Sequence, residues 1–181
     1  MKALIINGSP REGGNSAFVC ETLAALLAEK YSDISIDGIR LQDCRIAPCK
    51  GCNVCRSNGG SCVTEDDGKR IAESVEEADI VLFATPVYQS GVTAQTKLLL
   101  DRLYAKGGYP DSKRQKVYAV AIGADPLETE QYTLIQRQLT LLSGWQNWEF
   151  AGYCALRALE KDELRGCEEE VCRKIRKMLE H

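Results

Sequence analysis

The chain has 181 residues, of which 44% are hydrophobic and 27% charged, and these values are typical of one globular domain. A formal net charge of -3 and a pI near 5.4 argue against a nucleic-acid-binding protein, which would carry a basic surface. No apolar run approaches the length of about eighteen residues that a membrane span needs, and the N-terminal segment is too short for a signal-peptide core. We therefore predict a cytoplasmic protein without a membrane segment.

Apolar runs of strand length alternate with stretches of helical spacing along the whole chain. In chain order we predict a strand at 2–7, a helix at 16–30, a strand at 34–41, a helix at 66–77, a strand at 80–84, a helix at 94–103, a strand at 117–122, a helix at 128–142, a strand at 148–153 and a helix at 161–178. Asp66 and Thr93 are expected to cap the helices that follow them.

This strict alternation, with near-continuous apolar strands, predicts a parallel sheet covered by helices on both faces. Five strands and about five helices fit an α/β, flavodoxin-like doubly wound fold with strand order 2-1-3-4-5. Ligands bind such sheets at the carboxyl ends of the strands, beside the point where the strand order reverses.

The loop after the first strand, residues 8–16, reads GSPREGGNS and leads into a helix. A helix start offers unpaired amides and a partial positive charge, which suit a phosphate. Ser9, Asn15 and Ser16 add hydroxyl and amide donors, and Arg11 adds a guanidinium. The loop predicts a phosphate site, and a solvated turn with a Ser or Asn cap is the alternative.

The loop after the third strand, residues 85–93, reads TPVYQSGVT. Tyr88 offers a flat aromatic face and Gly91 leaves the backbone open, so this loop suits the edge of a planar ring. The alternative is that Tyr88 packs under the loop. The segment 123–126 follows the fourth strand and is expected to close the same pocket.

Together, the stretches NGSPREGGNS and ATPVYQSGVTAQTKLLLDRL, with a cysteine-rich loop between them, resemble the NADPH-dependent FMN reductase group of flavodoxin-like proteins. The resemblance is specifically to the iron–sulfur flavoproteins, and it covers about residues 2–105. It implies that FMN is bound, that NAD(P)H is a candidate co-substrate, and that the chain forms a homodimer or homotetramer.

The resemblance also implies which residues hold the flavin. The FMN phosphate is expected on Ser9, Arg11, Asn15 and Ser16. The isoalloxazine ring is expected against Pro86, Val87, Tyr88, Ser90 and Gly91, with residues from Gly123 onward closing the far side.

Four of the nine cysteines lie within fourteen residues and follow the pattern C-x2-C-x2-C-x6-C, at Cys49, Cys52, Cys55 and Cys62. Tight runs of this kind are typical of iron–sulfur clusters, whereas zinc sites more often use two separated pairs. A cytoplasmic location disfavours disulfides. We predict a [4Fe-4S] cluster close to the flavin, and zinc or free, redox-active thiols are the alternatives.

The remaining polar residues are assigned structural roles. Asp101 and Arg102 are expected to form an ion pair at a helix end, and the acidic run at 65–67 is expected to be solvated. The single histidine, His181, leaves no Ser-His-Asp or Cys-His catalytic group. We expect one domain over 1–178, with its cysteine-rich loop at 44–65, and an ending at 179–181 that resembles a purification-tag remnant.

From these patterns we expect an FMN-dependent electron-transfer oxidoreductase of the iron–sulfur flavoprotein type. Electrons would pass between FMN, the [4Fe-4S] cluster and a small-molecule or redox-protein donor or acceptor, and no side chain is assigned a catalytic role. The alternatives are a cluster-free NAD(P)H-dependent FMN or quinone reductase and a zinc-stabilised binding module on the same scaffold.

Overall fold

In the computed structural model, which describes residues 1–109 and 113–180, strands and helices alternate from end to end. The strands are β1 (Lys2–Asn7), β2 (Ser35–Arg40), β3 (Ile80–Pro86), β4 (Lys116–Gly123) and β5 (Glu149–Arg157). The α-helices are α1 (Gly14–Lys30), α2 (Val54–Ser57), α3 (Asp67–Glu77), α4 (Ala94–Arg102), α5 (Glu130–Gln146) and α6 (Glu168–Leu179). Short 3-10 helices span Leu41–Asp43, Leu103–Ala105 and Glu163–Cys167.

The five strands form one parallel sheet in the order β2-β1-β3-β4-β5. This confirms the predicted fold class and strand order. The order reverses beside β1, so the loops after β1 and β3 leave the sheet side by side.

Two apolar cores lie on opposite faces of the sheet because successive strand residues point to opposite sides. On one face Leu82 of β3 packs in the same cluster as Leu23 of α1 and Ile175 of α6. On the other face Phe83 packs in a cluster with helices α3, α4 and α5, which includes Leu99. With both faces covered by helices, the edge formed by the strand ends is the part of the sheet left for polar chemistry.

The last helix begins later than predicted. We predicted a helix over 161–178. Its first part instead contains a 3-10 turn at Glu163–Cys167, and α6 starts only at Glu168. Asp162 has a φ of 67°, a left-handed conformation that a continuous α-helix does not contain. The Glu163 carboxylate accepts hydrogen bonds from the backbone N–H groups of Leu159, at 2.6 Å, and Glu160, at 2.9 Å, and so folds this segment into a tight turn.

The predicted ion pair between Asp101 and Arg102 is wrong. Adjacent residues of a helix do not face each other, whereas residues four apart do. Asp101 therefore pairs with Lys97, at 2.6 Å, on the exposed side of α4. Arg102 is only 3% exposed and pairs at 2.6 Å with Asp66, on the far side of the cysteine-rich loop.

The same contact corrects the prediction of a solvated acidic run at 65–67. The side chain of Asp66 is 12% exposed, and its carboxylate also accepts from the backbone N–H groups of Ala47, at 2.9 Å, and Lys69, at 3.2 Å. The last of these bonds is the N-cap of α3, as predicted from the sequence. Asp66 is therefore both a helix cap and an internal ion-pair partner.

The end of the chain packs with the domain. Leu179, which was expected to begin a tag remnant, is the last residue of α6 and is 3% exposed. His181 lies outside the described residues. Within the described ranges, none of the helices is long and apolar enough to cross a membrane.

The core on the α4 side gives a first prediction. Replacing Leu99, which is fully buried, with alanine should lower the free energy of unfolding by about 2–5 kcal/mol, because a cavity forms where the side chain packed. Lys97→Ala, on the exposed face of the same helix, should change it by about 0.5 kcal/mol or less. Urea unfolding followed by circular dichroism measures both values, and an equal change for the two variants would contradict the described core.

Candidate functional site

The loop after β1 is held tightly against the loop after β3. The backbone N–H of Gly8 donates to Ala84 O at 2.8 Å, and the Thr93 hydroxyl donates to Gly8 O at 2.7 Å. A Cβ on Gly8 would stand 2.1 Å from Oγ1 of Thr96, so only glycine fits between these elements. The two loops therefore form one rigid wall of a cavity.

The start of α1 is built for a close backbone approach. Gly13 and Gly14 have φ values of 69° and 79°, which side-chain-bearing residues adopt only with strain. Ser9 and Ser16 are each 4% exposed beside this turn. The Ser9 hydroxyl accepts from the backbone N–H of Arg11 at 3.2 Å, which leaves the hydroxyl proton of Ser9 available to a ligand.

These loops line a cavity of about 140 Å³, open to solvent, at the carboxyl ends of the strands. Of the ten residues predicted to bind a cofactor, eight line it, namely Ser9, Arg11, Asn15, Ser16, Pro86, Val87, Tyr88 and Gly123. Ser90 and Gly91 are the two that do not line it.

Ser90 and Gly91 lie in a tight turn beyond the cavity. Tyr88 and Gly91 exchange two backbone hydrogen bonds of 3.0 Å, and the residues between them, Gln89 and Ser90, have φ values of 47° and 60°. Two consecutive positive φ values are typical of a type I′ turn. The turn presents Tyr88, which is 40% exposed, at the mouth of the cavity.

The sequence reading did not include the segment 158–161 after β5, which also lines the cavity. Asn15 holds this segment with both ends of its side chain. Its Nδ2 donates to Glu160 O at 2.8 Å, and its Oδ1 accepts from the backbone N–H of Leu164 at 3.0 Å. Lys161 is thereby brought over the start of α1, where its Cγ would lie 3.6 Å from a Cβ on Gly14. The pairing of Asn15 with a loop almost 150 residues away has no local signal in the sequence.

The four predicted cysteine ligands line a second, smaller cavity of about 30 Å³. Cys49 and Cys52 are exposed, Cys62 is partly buried and Cys55 is buried at the start of the short helix α2. None of the nine cysteines, all within the described part of the chain, takes part in a disulfide. Within 1–109 and 113–180, no three His, Cys, Asp or Glu side chains are gathered as a metal ion requires.

Arg102 lines this second cavity and contacts one of its cysteines. Its Nη2 donates to Sγ of Cys62 at 3.4 Å and to Thr64 O at 3.1 Å, and its Nη1 donates to Ala47 O at 3.0 Å as well as to Asp66. Burial opposes ionisation of the Cys62 thiol, but hydrogen bonds at Thr64 and the positive charge of Arg102 outweigh it and lower the pKa of that thiol.

A second arginine fixes the other side of the cysteine-rich loop. Arg56 donates from Nη1 to Gly107 O at 2.6 Å and from Nη2 to Tyr104 O. Its guanidinium also stacks on the rings of Tyr104, at 4.2 Å, and Trp145, at 5.4 Å from the ring centroids. The Tyr109 hydroxyl donates to Cys55 O at 3.0 Å, so the helix that carries Cys55 is tied to the body of the domain.

Cys20 and Cys154 behave differently from the clustered thiols. Both pack against the apolar core on the α1 side of the sheet. Burial raises the pKa of Cys20 to about 12 and that of Cys154 to about 11, so both thiols stay protonated near neutral pH.

The two cavities lie at opposite ends of α4. Thr93, the N-cap of α4, contacts the loop after β1, whereas Arg102, its last residue, contacts Cys62. A helix of nine residues is about 14 Å long. Within one chain, the contacts of Thr93 and of Arg102 are therefore separated by about the length of this helix. The expectation that the cluster lies close to the flavin stays a prediction. The 26 residues between β2 and α3 contact α4 near its start, where Gln95 donates to Gln42 at 2.8 Å, and at its end, where Arg102 contacts Cys62.

Residues 1–145 match the family model described as NADPH-dependent FMN reductase. The chain belongs to this family. It is accordingly an FMN-dependent oxidoreductase with the flavodoxin-like fold.

Two curated relatives illustrate the range of the family. An iron–sulfur flavoprotein of Methanocaldococcus jannaschii is 37% identical over 138 residues, which are 75% of this chain and 69% of the relative. A Bacillus subtilis protein, named as an NAD(P)H-dependent FMN-containing oxidoreductase, is 31% identical over 161 residues, covering 84% of this chain and 83% of that protein. The chain spans only about half the length of two further iron–sulfur flavoproteins that it matches.

Solved structures support the fold. An FMN-dependent NADH-azoreductase from Bacillus anthracis, in complex with FMN, superimposes with a TM-score of 0.67 and covers 100% of both chains at 17% identity. At this identity the likeness supports the fold alone.

The residues of the first cavity fit the phosphate end of FMN. The first-turn amides of α1 have no partners within the helix, and the serine hydroxyls and Arg11 surround them. A Cβ built on Gly13 meets nothing within 4 Å, so the backbone there is open to a ligand. The chemistry of these donors suits a dianionic group.

Proposed function

We propose that the protein is an electron-transfer oxidoreductase of the iron–sulfur flavoprotein type, with FMN in the first cavity and a [4Fe-4S] cluster on the four clustered cysteines. The observation that carries the proposal is that Cys49, Cys52, Cys55 and Cys62, and no other cysteine, line one cavity. In a [4Fe-4S] cluster four thiolates hold one group of four irons, so the sulfurs surround the group instead of converging on one ion. The relatives named as iron–sulfur flavoproteins support the same assignment.

Each part of the first cavity has a proposed role in holding FMN. Ser9, Ser16 and the amides at the start of α1 donate hydrogen bonds to the phosphate, and Arg11 balances its charge. Lys161 adds a second positive charge from the segment that Asn15 holds in place. Asn15 thus contributes mainly by positioning.

The ring of the flavin is proposed to lie against the loop after β3. Pro86, Val87 and Tyr88 line the cavity there, and Gly123 closes the far side. Ser90 and Gly91 support the ring site indirectly, through the tight turn that orients Tyr88. When bound, the flavin supplies exchange between two-electron and one-electron donors, and the protein supplies binding, orientation and charge.

We propose NAD(P)H or a redox protein as the electron donor, because relatives are named for NAD(P)H-dependent activity. The acceptor is proposed to be a small molecule or a second redox protein. A cluster-free NAD(P)H-dependent FMN or quinone reductase is the second candidate, supported by the Bacillus subtilis relative that this chain covers over most of its length.

We also propose a homodimer or homotetramer. Several large apolar side chains are exposed on and beside α5, including Leu134, Leu141 and Trp145, at 49%, 77% and 47%. Exposed apolar surface of this kind is typical of a subunit interface.

The phosphate site gives a prediction for Arg11. Arg11→Ala should weaken FMN binding roughly 10- to 150-fold, because a charge-assisted hydrogen bond contributes about 1.5–3 kcal/mol. Riboflavin, which lacks the phosphate, should bind almost unchanged. Quenching of flavin fluorescence measures both affinities. Arg176→Ala is the matched control, because Arg176 pairs with Glu29 away from the cavity, and an equal loss of both ligands in the Arg11 variant would remove Arg11 from the phosphate site.

The cysteine site gives a prediction for Cys52. Protein purified without oxygen should contain iron, acid-labile sulfide and FMN. Cys52→Ser should abolish the paramagnetic signal that appears on reduction and leave FMN bound, because one of four ligands is lost. Cys20→Ser, in the core beside α1, is the control and should keep both. Wild-type protein with FMN but without iron and sulfide would favour the cluster-free reductase, and colourless protein holding zinc would favour a zinc-stabilised binding module.

Assembly is tested by light scattering. The expected mass is two or four times the 20.0 kDa of one chain. Leu141→Glu should raise the monomer fraction, because it places a charge in the proposed apolar interface. A wild-type monomer at all working concentrations would contradict the proposal.

A further inference from the structure

Arg102 makes more contacts than an ion pair requires. It is 3% exposed, and burial of a guanidinium is costly unless its charge and its donors are satisfied. Asp66 alone, at 2.6 Å, balances the charge. The remaining bonds go to Ala47 O, Thr64 O and Sγ of Cys62, all of them in the cysteine-rich loop.

The contacts of Arg102 lie at both ends of the cysteine-rich loop. Ala47 lies just before the first clustered cysteine, whereas Cys62, Thr64 and Asp66 come at or after the last one. The guanidinium therefore joins the two ends of the loop at one point and fixes that point to the C-terminal end of α4. The cysteine on which it acts directly is the one separated from the other three by six residues.

We propose that Arg102 is the positioning residue of the cysteine site, holding the loop closed and Cys62 facing the other three thiols. Its role at a cluster depends on the function proposed above, whereas its closure of the loop does not. The planar guanidinium of arginine has five N–H donors and can bind both ends of the loop at once. The single ammonium of lysine cannot reach the same four partners.

Arg102 is also proposed to favour the reduced state of the site. Reduction of a cluster by one electron adds one negative charge, and a buried positive charge that donates an N–H to a ligand sulfur stabilises that state. Hydrogen bonds to the sulfurs and net charge are among the factors that set cluster potentials.

The test compares Arg102→Lys and Arg102→Gln with Lys97→Ala, an exposed control on the same helix. Loss of a residue that orients a metal ligand typically costs about 10- to 100-fold in metal affinity. We expect iron to be removed from both Arg102 variants at correspondingly lower chelator concentration, with FMN affinity unchanged. The control should match the wild type.

A potentiometric titration of the paramagnetic signal separates positioning from simple stability. Arg102→Gln should shift the midpoint potential to a lower value, because it removes the positive charge beside Cys62. Arg102→Lys, which keeps the charge, should shift it less. Equal potentials in all proteins would overturn the electrostatic part of the proposal.

Closure of the loop is tested without any cluster. Arg45, Lys50 and Arg56 are trypsin sites inside the cysteine-rich loop. In chelator-treated protein, cleavage at these sites should be faster in both Arg102 variants than in the wild type and the Lys97→Ala control. If wild-type protein proves to contain no iron, the proposed cluster fails, and this comparison alone decides whether Arg102 closes the loop.

Two results would overturn the proposal. One is that the Arg102 variants resist the chelator and trypsin as well as the wild type does. The other is a parallel loss of FMN, which would assign Arg102 to the whole fold. If neither variant is soluble, Asp66→Asn replaces them, because it keeps the guanidinium but weakens its anchor. Asp66→Asn should then lose iron more readily than the wild type, though less than expected for the Arg102 variants, and trypsin should cleave it faster than the wild type. Values equal to those of the wild type would overturn the proposal.

Discussion

All five strands run in the same direction, and this constraint decides where the chemistry of the domain lies. Helices cover both faces, so the three central strands, β1, β3 and β4, are almost entirely buried. Only the edge where the strands end is open. The loops after β1, β3, β4 and β5 meet there, and they bring a helix start, basic side chains and an aromatic ring to one cavity.

The sequence predicted the fold and most of this cavity because both depend on local patterns. Alternating strand and helix periods, with Asp66 and Thr93 as caps, are sufficient to give the elements. A parallel sheet then brings the strand ends together whatever lies between them. The cysteine cavity was predictable for a similar reason, since three of its cysteines are separated by only two residues each.

Contacts between distant parts of the chain were not predictable in the same way. The partner of a charged side chain is decided by packing, and Arg102 passes over its neighbour Asp101 to reach Asp66, 36 residues earlier. Lys161 joins the first cavity only because Asn15 binds a loop near the other end of the chain. The position of the cysteine-rich loop likewise depends on long-range hydrogen bonds, from Arg56 to Gly107 and from Arg102 to Thr64.

Helix α4 contacts a loop beside the first cavity with one end and the cysteine-rich loop with the other. Its N-cap Thr93 donates a hydrogen bond to Gly8 in the loop after β1, and its last residue, Arg102, donates one to Cys62 in the cysteine-rich loop. Leu99, between them, is fully buried and packs in the core on the α3, α4 and α5 side of the sheet. Helix α4 thus connects the loops of the first cavity to the cysteine-rich loop through hydrogen bonds at its two ends.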